Sequence, residues 1–444
     1  MRRLYEMSIG MPNKLDSYDV IVAGAGIGGL LSAAMLTKSG FSVIVFERLS
    51  FIGGRFTSFN FKGYEIPSGA VHMIPNSRGS FTKIMREFGI DYKKTDVWVE
   101  YIWGDRRRSC RHATSIFSAL KSTSARWALA KVIFEVMKPQ KTEGISFGEY
   151  LKSEIGNDEL YRFFEAFANF SLSLSVEDIS AKNMFKILKD MLLQGLLWDN
   201  RVVPIGGCKG VVRSLKEIIS AHNGKIVTNA DVRKILVHEG VANGVFVKVG
   251  GDCRELTSRY VVSNLGPIKT YEKMDKGGYS GVLSELRGKK PPAGITISIA
   301  ASKDMLGHSG ITLTPIGERV CGMVQPTAID PSLAPEGKHL LLTHQILKSQ
   351  NIKKEIELGI ADLHNIFPDF DEHCEILCAH SFHSEWPVNY ITQGEDLPNR
   401  TQIENLFMVG DGNKPPAHIM TEGVAHGVKQ VVDAICASQS RQIK

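Results

Sequence analysis

The 444-residue sequence has no run of about 20 apolar residues, so it gives no signal for a membrane-spanning helix. The segment from Met1 to Ser17 carries Arg2 and Arg3 but no apolar core of the kind a secretory leader needs. Cysteine is scarce, with 7 residues, odd in number and scattered from Cys110 to Cys436. That pattern excludes a secreted disulfide framework and leaves reduced thiols as the expectation. An excess of one charge sign is also missing: 53 Lys and Arg against 47 Asp and Glu give a net charge of +6. With no long basic stripe and no helix-turn-helix or RNA-binding signature, nucleic acid is not an expected partner. No block of a single residue type marks a disordered tail. Together these absences predict a cytoplasmic protein, with peripheral membrane contact left open.

Hydrophobic residues make up 43% of the chain, enough at this length for a large core divided between two domains. Glycine (42) outnumbers proline (17), which suits an α/β enzyme with many tight turns. His373, Cys374, Cys378, His380 and His383 crowd together, but not as the paired units at recognised spacings that zinc requires, and no metal is predicted. The simpler expectation is a strand with small thiols on a buried face.

From Tyr18 the chain reads Asp19-Val20-Ile21-Val22-Ala23, then Gly24-Ala25-Gly26-Ile27-Gly28-Gly29, then Leu30, Leu31 and Ala33 to Leu36. That is strand, glycine turn and helix. Gly24 permits the tight turn, Gly26 a close backbone approach to a pyrophosphate, and Gly29 close packing of helix on strand. The helix start, at Ile27, then presents free N–H groups and positive dipole to phosphate. A second apolar run, Phe41 to Phe46, ends in Glu47, where a dinucleotide fold places an acid for ribose hydroxyls.

After Glu47 come Arg48 and then Gly53-Gly54-Arg55 with Thr57 and Ser58, which resembles the GGR-x-S/T extension of the amine oxidase and phytoene desaturase superfamily. Paired glycines allow close backbone approach, and Arg55 can give charge-assisted hydrogen bonds to phosphate. Near the other end, Asn405-Leu406-Phe407-Met408-Val409-Gly410-Asp411 is similar to the NLF-x-VGD segment with which that superfamily closes its FAD site. Between them, Pro204-Ile205-Gly206-Gly207, the helix Val211 to Ile219, Gly224-Lys225-Ile226, Val232 to Ile235 and Val261-Val262-Ser263-Asn264 resemble further family segments in family order.

The resemblance implies noncovalent FAD. Its expected contacts are Gly24, Gly26, Ile27, Gly29, Glu47, Arg48, Gly54 and Arg55, then backbone at Val232 for the adenine, Gly410 and Asp411 at the ribityl chain, and Met420 at the next helix start. The implied fold class is α/β: a Rossmann-type FAD-binding domain assembled from discontinuous segments (17–79, 198–273 and 400–440), with a mixed sheet-and-helix substrate domain (80–197 and 274–399). Expected strands in the latter include Ile295 to Ala300, Ile311 to Thr314 and Leu340 to Thr343.

Asp330-Pro331-Ser332-Leu333-Ala334-Pro335-Glu336-Gly337-Lys338-His339 resembles the DPS-x-APEGKH segment of phytoene-desaturase-like proteins, which include carotenoid desaturases, carotenoid isomerases and retinol saturases. Two segments depart from that pattern. Ile66-Pro67-Ser68-Gly69 lacks the acid of the family's D-x-G segment, and Asn413-Lys414-Pro415-Pro416-Ala417-His418 is unlike the glycine-rich loop of carotenoid desaturases. The implied activity is therefore hydride transfer between flavin and a hydrophobic small molecule, by desaturation, saturation or isomerisation, with the electron acceptor unspecified. Amine or porphyrinogen oxidation, and flavin-free binding of prenylated proteins as in the GDP-dissociation inhibitors, are the alternatives.

No catalytic residue is assigned. His72, His418 and His426 fall near flavin segments, where a structural role is the first expectation. Arg106, Arg107, Arg108 and Arg111 precede a mixed apolar and basic stretch, Ile116 to Lys138, holding Trp127, Phe134 and Met137. It reads as a domain helix with a solvated basic face, or as one lying on an anionic membrane.

Overall fold

The apolar run after Tyr18 forms the strand Tyr18–Ala23, at the centre of a seven-stranded sheet. Its parallel neighbours are Val43–Phe46, followed by Lys225–Val227, on one side and Asp252–Ser263, followed by Leu406–Met408, on the other. Strands buried on both faces read as continuous apolar runs, which is why VIVA, VIVF and LFM carried the signal. The computed structural model describes residues 17–111, 113–138, 142, 144–193, 199–274, 279–288, 291–392, 394–416 and 418–442. The leader up to Asp16 lies outside them.

Asp252–Ser263 belongs to two arrangements. Its first half pairs antiparallel with Val241–Val249, itself paired with Ala230–His238, and its second half runs parallel in the central sheet. This continuity ties the meander bearing Val232 to the strand ends bearing the glycine turn. The helices Ile27–Lys38, Gly207–Ala221 and Met420–Gln442 cover one face through Leu30, Leu31, Val211, Leu215, Val428 and Val432. The meander contributes to the core on the other face through Val232, Ile235, Val245 and Leu256.

A second seven-stranded sheet runs in the order Cys374–Phe382, Gly294–Ala301, His339–Ile346, Gly322–Val324, Ile311–Leu313, Val99–Trp103 and Arg106–Cys110. Its pairings are antiparallel except Ile311–Leu313 with Val99–Trp103. The helices Thr123–Val136, Asp158–Leu172 and Ala181–Leu193 share its core, where Phe147 packs edge-on against Phe164 and Phe185. The mixed sheet-and-helix character agrees with the sequence-based expectation. The strand Cys374–Phe382 also forms where His373 to His383 suggested one, with Cys374 and Cys378 half-buried rather than on a fully buried face.

The core moves one boundary. The helix Ser80–Glu87 buries Phe81, Ile84 and Met85 with the first sheet, so this unit continues to Ile90 rather than ending at residue 79. Asp330 also does more than start a turn. It caps the turn Pro331–Leu333 by accepting from Ser332, and its other oxygen accepts from the Gly206 N–H at 2.6 Å, tying the second unit to a glycine turn of the first.

Candidate functional site

At the C-terminal end of Tyr18–Ala23 the chain turns through Gly24, at φ +96°, into the helix Ile27–Lys38, whose N-cap is Gly26 with no side-chain cap. Exposed N–H groups at a helix start favour phosphate. A Cβ on Gly26 would lie 2.5 Å from Asn264 Oδ1, and one on Gly28 would lie 2.9 Å from Gly410 Cα. The two segments, nearly four hundred residues apart in sequence, therefore meet backbone to backbone. Asn264 fixes the junction by donating from Nδ2 to the Val409 carbonyl at 2.9 Å.

These glycines open onto a cavity of about 730 Å³. Every expected cofactor contact lines it except Gly29. A Cβ on Gly29 would collide with the Gly24 carbonyl, so its role is the helix-on-strand packing read from the sequence, and Gly28 holds the wall position. Glu47 accepts from the Ala25 N–H at 2.7 Å through one oxygen and from the Leu49 N–H at 2.9 Å through the other. Each oxygen keeps a lone pair for a ribose hydroxyl. Val232 lines the cavity from the outer strand of its sheet.

Arg55 donates to Asp411 at 2.7 Å and to the carbonyls of Pro387 and Val388, with its guanidinium 4.7 Å from the Tyr390 ring centre. It is thus held by protein groups, where the sequence suggested a phosphate. Asp411 also accepts from Lys414 Nζ at 2.9 Å and from the Tyr390 N–H at 2.9 Å. Burial alone would raise the Asp411 carboxyl, but Lys414 and Arg55 outweigh it and hold the group at about 2. Lys414, only 1% exposed, is braced on its other side by Asp396 at 2.8 Å. Nothing in the local sequence marked Lys414, because its second partner comes from another loop.

The helix Met420–Gln442 starts at the cavity wall, where the buried Thr421 hydroxyl has no partner among the described residues. A glycine cradle, an uncapped helix start, an acid with spare lone pairs and an orphan hydroxyl at a second helix start together fit a bound dinucleotide.

Residues 27–436 match the flavin-containing amine oxidoreductase family. The chain belongs to that family. An uncharacterized protein of Methanocaldococcus jannaschii is 35% identical over 418 residues, covering 93% of this chain and 98% of the relative. A solved oxidoreductase structure from Methanosarcina mazei superposes with a TM-score of 0.84 at 34% identity, covering 93% of this chain and 99% of that one. Prolycopene isomerase 2 of an Oncidium hybrid is 24% identical over 74% of this chain and 64% of its own length. The chain thus spans less than two thirds of that relative. These similarities place the protein in the phytoene-desaturase-like branch, as an FAD-dependent oxidoreductase.

FAD is the cofactor, and when bound it supplies the hydride-accepting or hydride-donating centre. The glycine turn, Glu47, Val232 and the start of Met420–Gln442 are the groups placed to hold it. None of the 7 cysteines lines the cavity, so no thiol is positioned to attach the flavin covalently. Among the described residues no group of His, Cys, Asp and Glu side chains is arranged to hold a metal.

The histidines divide differently from their order in the sequence. His72 is wholly buried at φ +56°, with Nδ1 accepting from the Cys208 N–H and Nε2 facing the Glu65 carbonyl. Burial lowers its pKa, so it is a neutral structural strut. His418 and His426 stack on each other at 4.1 Å and do not line the cavity. The imidazole on the cavity wall is His344, which lies in an apolar strand that gave no functional signal.

Glu422 carries a pH dependence. Its carboxylate accepts from the N–H groups of Ser80 and Phe81, yet burial raises it from 4.5 to about 7. The folded state therefore binds this proton more tightly than the unfolded chain does. The associated stability is complete below about pH 4.5 and declines as pH rises through about 7. In urea titrations across that window, Glu422→Gln is expected to flatten a decline of at most about 3.5 kcal/mol. Equal slopes in parent and variant would exclude Glu422 as the source.

Proposed function

We propose that this flavoenzyme transfers hydride to or from a neutral, largely apolar, isoprenoid-like molecule, by desaturation, saturation or isomerisation. The observation that carries the reading is the absence of a free carboxylate on the cavity wall among the described residues. Asp411 is held by Arg55 and Lys414, Asp231 by Arg233 at 3.0 Å, Glu272 by Arg287 at 2.7 Å and Glu385 by Lys269 at 2.5 Å, while Glu47 accepts two N–H groups. An ammonium substrate would find no unpaired anion there, and its desolvation would go uncompensated. The wall instead offers Val71 and Met73 from the first unit and Phe170, Phe382 and Trp386 from the second.

The direct test is anaerobic mixing of the oxidised holoprotein with isoprenoid alcohols and hydrocarbons, primary amines and a porphyrinogen, followed by the flavin's visible absorbance. Bleaching by an isoprenoid supports the proposal. Bleaching by amines or porphyrinogen alone would move the protein to the oxidase alternative.

A peripheral membrane contact would suit such substrates. On Thr123–Val136 and the residue pair after it, Trp127, Lys131, Phe134 and Lys138 recur at helical spacing on one exposed face, with Trp127 74% and Phe134 63% accessible. Aromatic rings flanked by lysines suit an anionic bilayer surface. Among the described residues no helix is long and apolar enough to cross a membrane. In vesicle sedimentation, Trp127→Ser with Phe134→Ser is expected to weaken binding to anionic vesicles by at least about tenfold. Undiminished binding by the double variant would remove this face from consideration.

A further inference from the structure

We propose that His344, Ser173 and Thr296 form a hydrogen-bonding subsite that receives one hydroxyl or carbonyl oxygen of an otherwise apolar substrate. The inference rests on the neutral, isoprenoid-like reading above and makes it narrower, since a pure polyene hydrocarbon has no such atom.

Three separate parts of the second unit converge there. His344 lies in the strand His339–Ile346 and Thr296 in Gly294–Ala301. These strands are antiparallel, and the pairs Ile295↔Gln345 and Ser298↔Leu342 set Thr296 opposite His344, so both side chains point to the same face. Ser173 ends the helix Asp158–Leu172 in the left-handed conformation, at φ +56°, and its Oγ stands 3.1 Å from His344 Nε2. A non-glycine residue held there marks a position that the surrounding structure dictates. All three residues line the cavity and are nearly closed off from outside, at 8% exposure for His344, 7% for Ser173 and 3% for Thr296.

The hydrogen-bond inventory is incomplete in a specific way. The Ser173 hydroxyl accounts for one ring nitrogen of His344, and Phe170 packs edge-on against the ring. Among the described residues, the second ring nitrogen and the Thr296 hydroxyl have no side-chain or backbone partner. Burial brings His344 down to about 4, so the ring is neutral and offers one donor and one acceptor. Phe170 packs on the ring, and the same cavity is lined by the apolar Met73 and Phe382 and by Trp386. A substrate that displaces water from this wall must supply a polar atom or leave buried groups unsatisfied. With no formal charge in the subsite, neither a carboxylate nor an ammonium gains there. The matching class is an isoprenoid alcohol, aldehyde or ketone.

The test uses FAD-loaded protein and a matched pair of probes, farnesol and farnesene, titrated while the flavin's visible spectrum is followed. The parent is expected to bind farnesol about tenfold more tightly than farnesene. Ser173→Gly removes the hydroxyl and relaxes the left-handed backbone, and Thr296→Val keeps the side-chain shape. Both are expected to reduce the preference to about threefold or less. His344→Phe should abolish the preference, and if that variant loses flavin the two milder ones still decide.

Equal affinity of the parent for both probes would overturn the subsite and leave the apolar reading standing. A preference that survives in all three variants would overturn it as well. If neither probe perturbs the flavin while a primary amine bleaches it, the proposed function itself fails and the subsite with it.

Discussion

Gly410→Ala protein is expected to leave purification almost colourless, with FAD content at least about tenfold below the parent. Two effects coincide at this position. Gly410 sits at φ +104°, a backbone conformation that costs an alanine about 1–2 kcal/mol. An added Cβ would also fall onto Asn264 Nδ2, the atom that donates to Val409 and holds the two glycine segments together. Asn264 would have to swing away, and the junction of Gly28 with Gly410 would open. Gly40→Ala separates the two effects, because Gly40 has a similar φ of +90° with nothing within 4 Å of the added carbon. That variant should lose some stability and keep its flavin. Full flavin content in Gly410→Ala, with circular dichroism matching the parent, would show that the close approach does not shape the cofactor site.

The contrast between Gly410 and His344 shows which parts of the site could be read from the sequence. Gly24, Gly26, Glu47 and Gly410 serve the cofactor through short local rules: a strand end, a turn, a helix start, an acid at a set spacing. Such rules leave a signature in contiguous residues, and the same is true of the first sheet, whose buried parallel strands read as unbroken apolar runs. His344, Ser173 and Thr296 meet only through the second sheet's register and the end of a helix some 170 positions away in sequence. A strand reading LLLTHQI shows its burial but not which face its histidine presents. The histidines beside recognisable segments, His72, His418 and His426, are spent on packing and hydrogen bonds within the fold. The packing of Ser80–Glu87 with the first sheet, where the sequence suggests the substrate domain, is hidden for a related reason. The amphipathic pattern of this helix says that one face is buried, while only the tertiary structure says against which sheet.

The second large effect is expected at the ion cluster beneath the cofactor segments. Asp396, Lys414, Asp411 and Arg55 form a chain of alternating sign, with links of 2.8, 2.9 and 2.7 Å, and all four side chains are below 20% exposure. Two anions and two cations balance. Asp411→Asn removes one anion and leaves Lys414 and Arg55 facing Asp396 alone. An uncompensated buried charge of this kind typically destabilises by about 3–5 kcal/mol. The loss should appear in urea denaturation at neutral pH and carry flavin release with it, since Asp411 lines the cavity. Acid should narrow the difference. The Asp411 carboxyl is held at about 2 against 3.8 for the free side chain, so its contribution is present above 3.8 and disappears as pH falls toward 2. Parent and variant stabilities should therefore draw closer by about 2.5 kcal/mol at that end of the scale. Adding Arg55→Met to Asp411→Asn restores balance by leaving Asp396 and Lys414 paired at 2.8 Å, and methionine matches part of the arginine stem. The double variant is expected to recover more than half of the lost stability. If instead Asp411→Asn costs under about 1 kcal/mol, or the double variant is no better than the single, the cluster is solvated rather than charge-balanced. The buried position of Lys414 would then need another explanation.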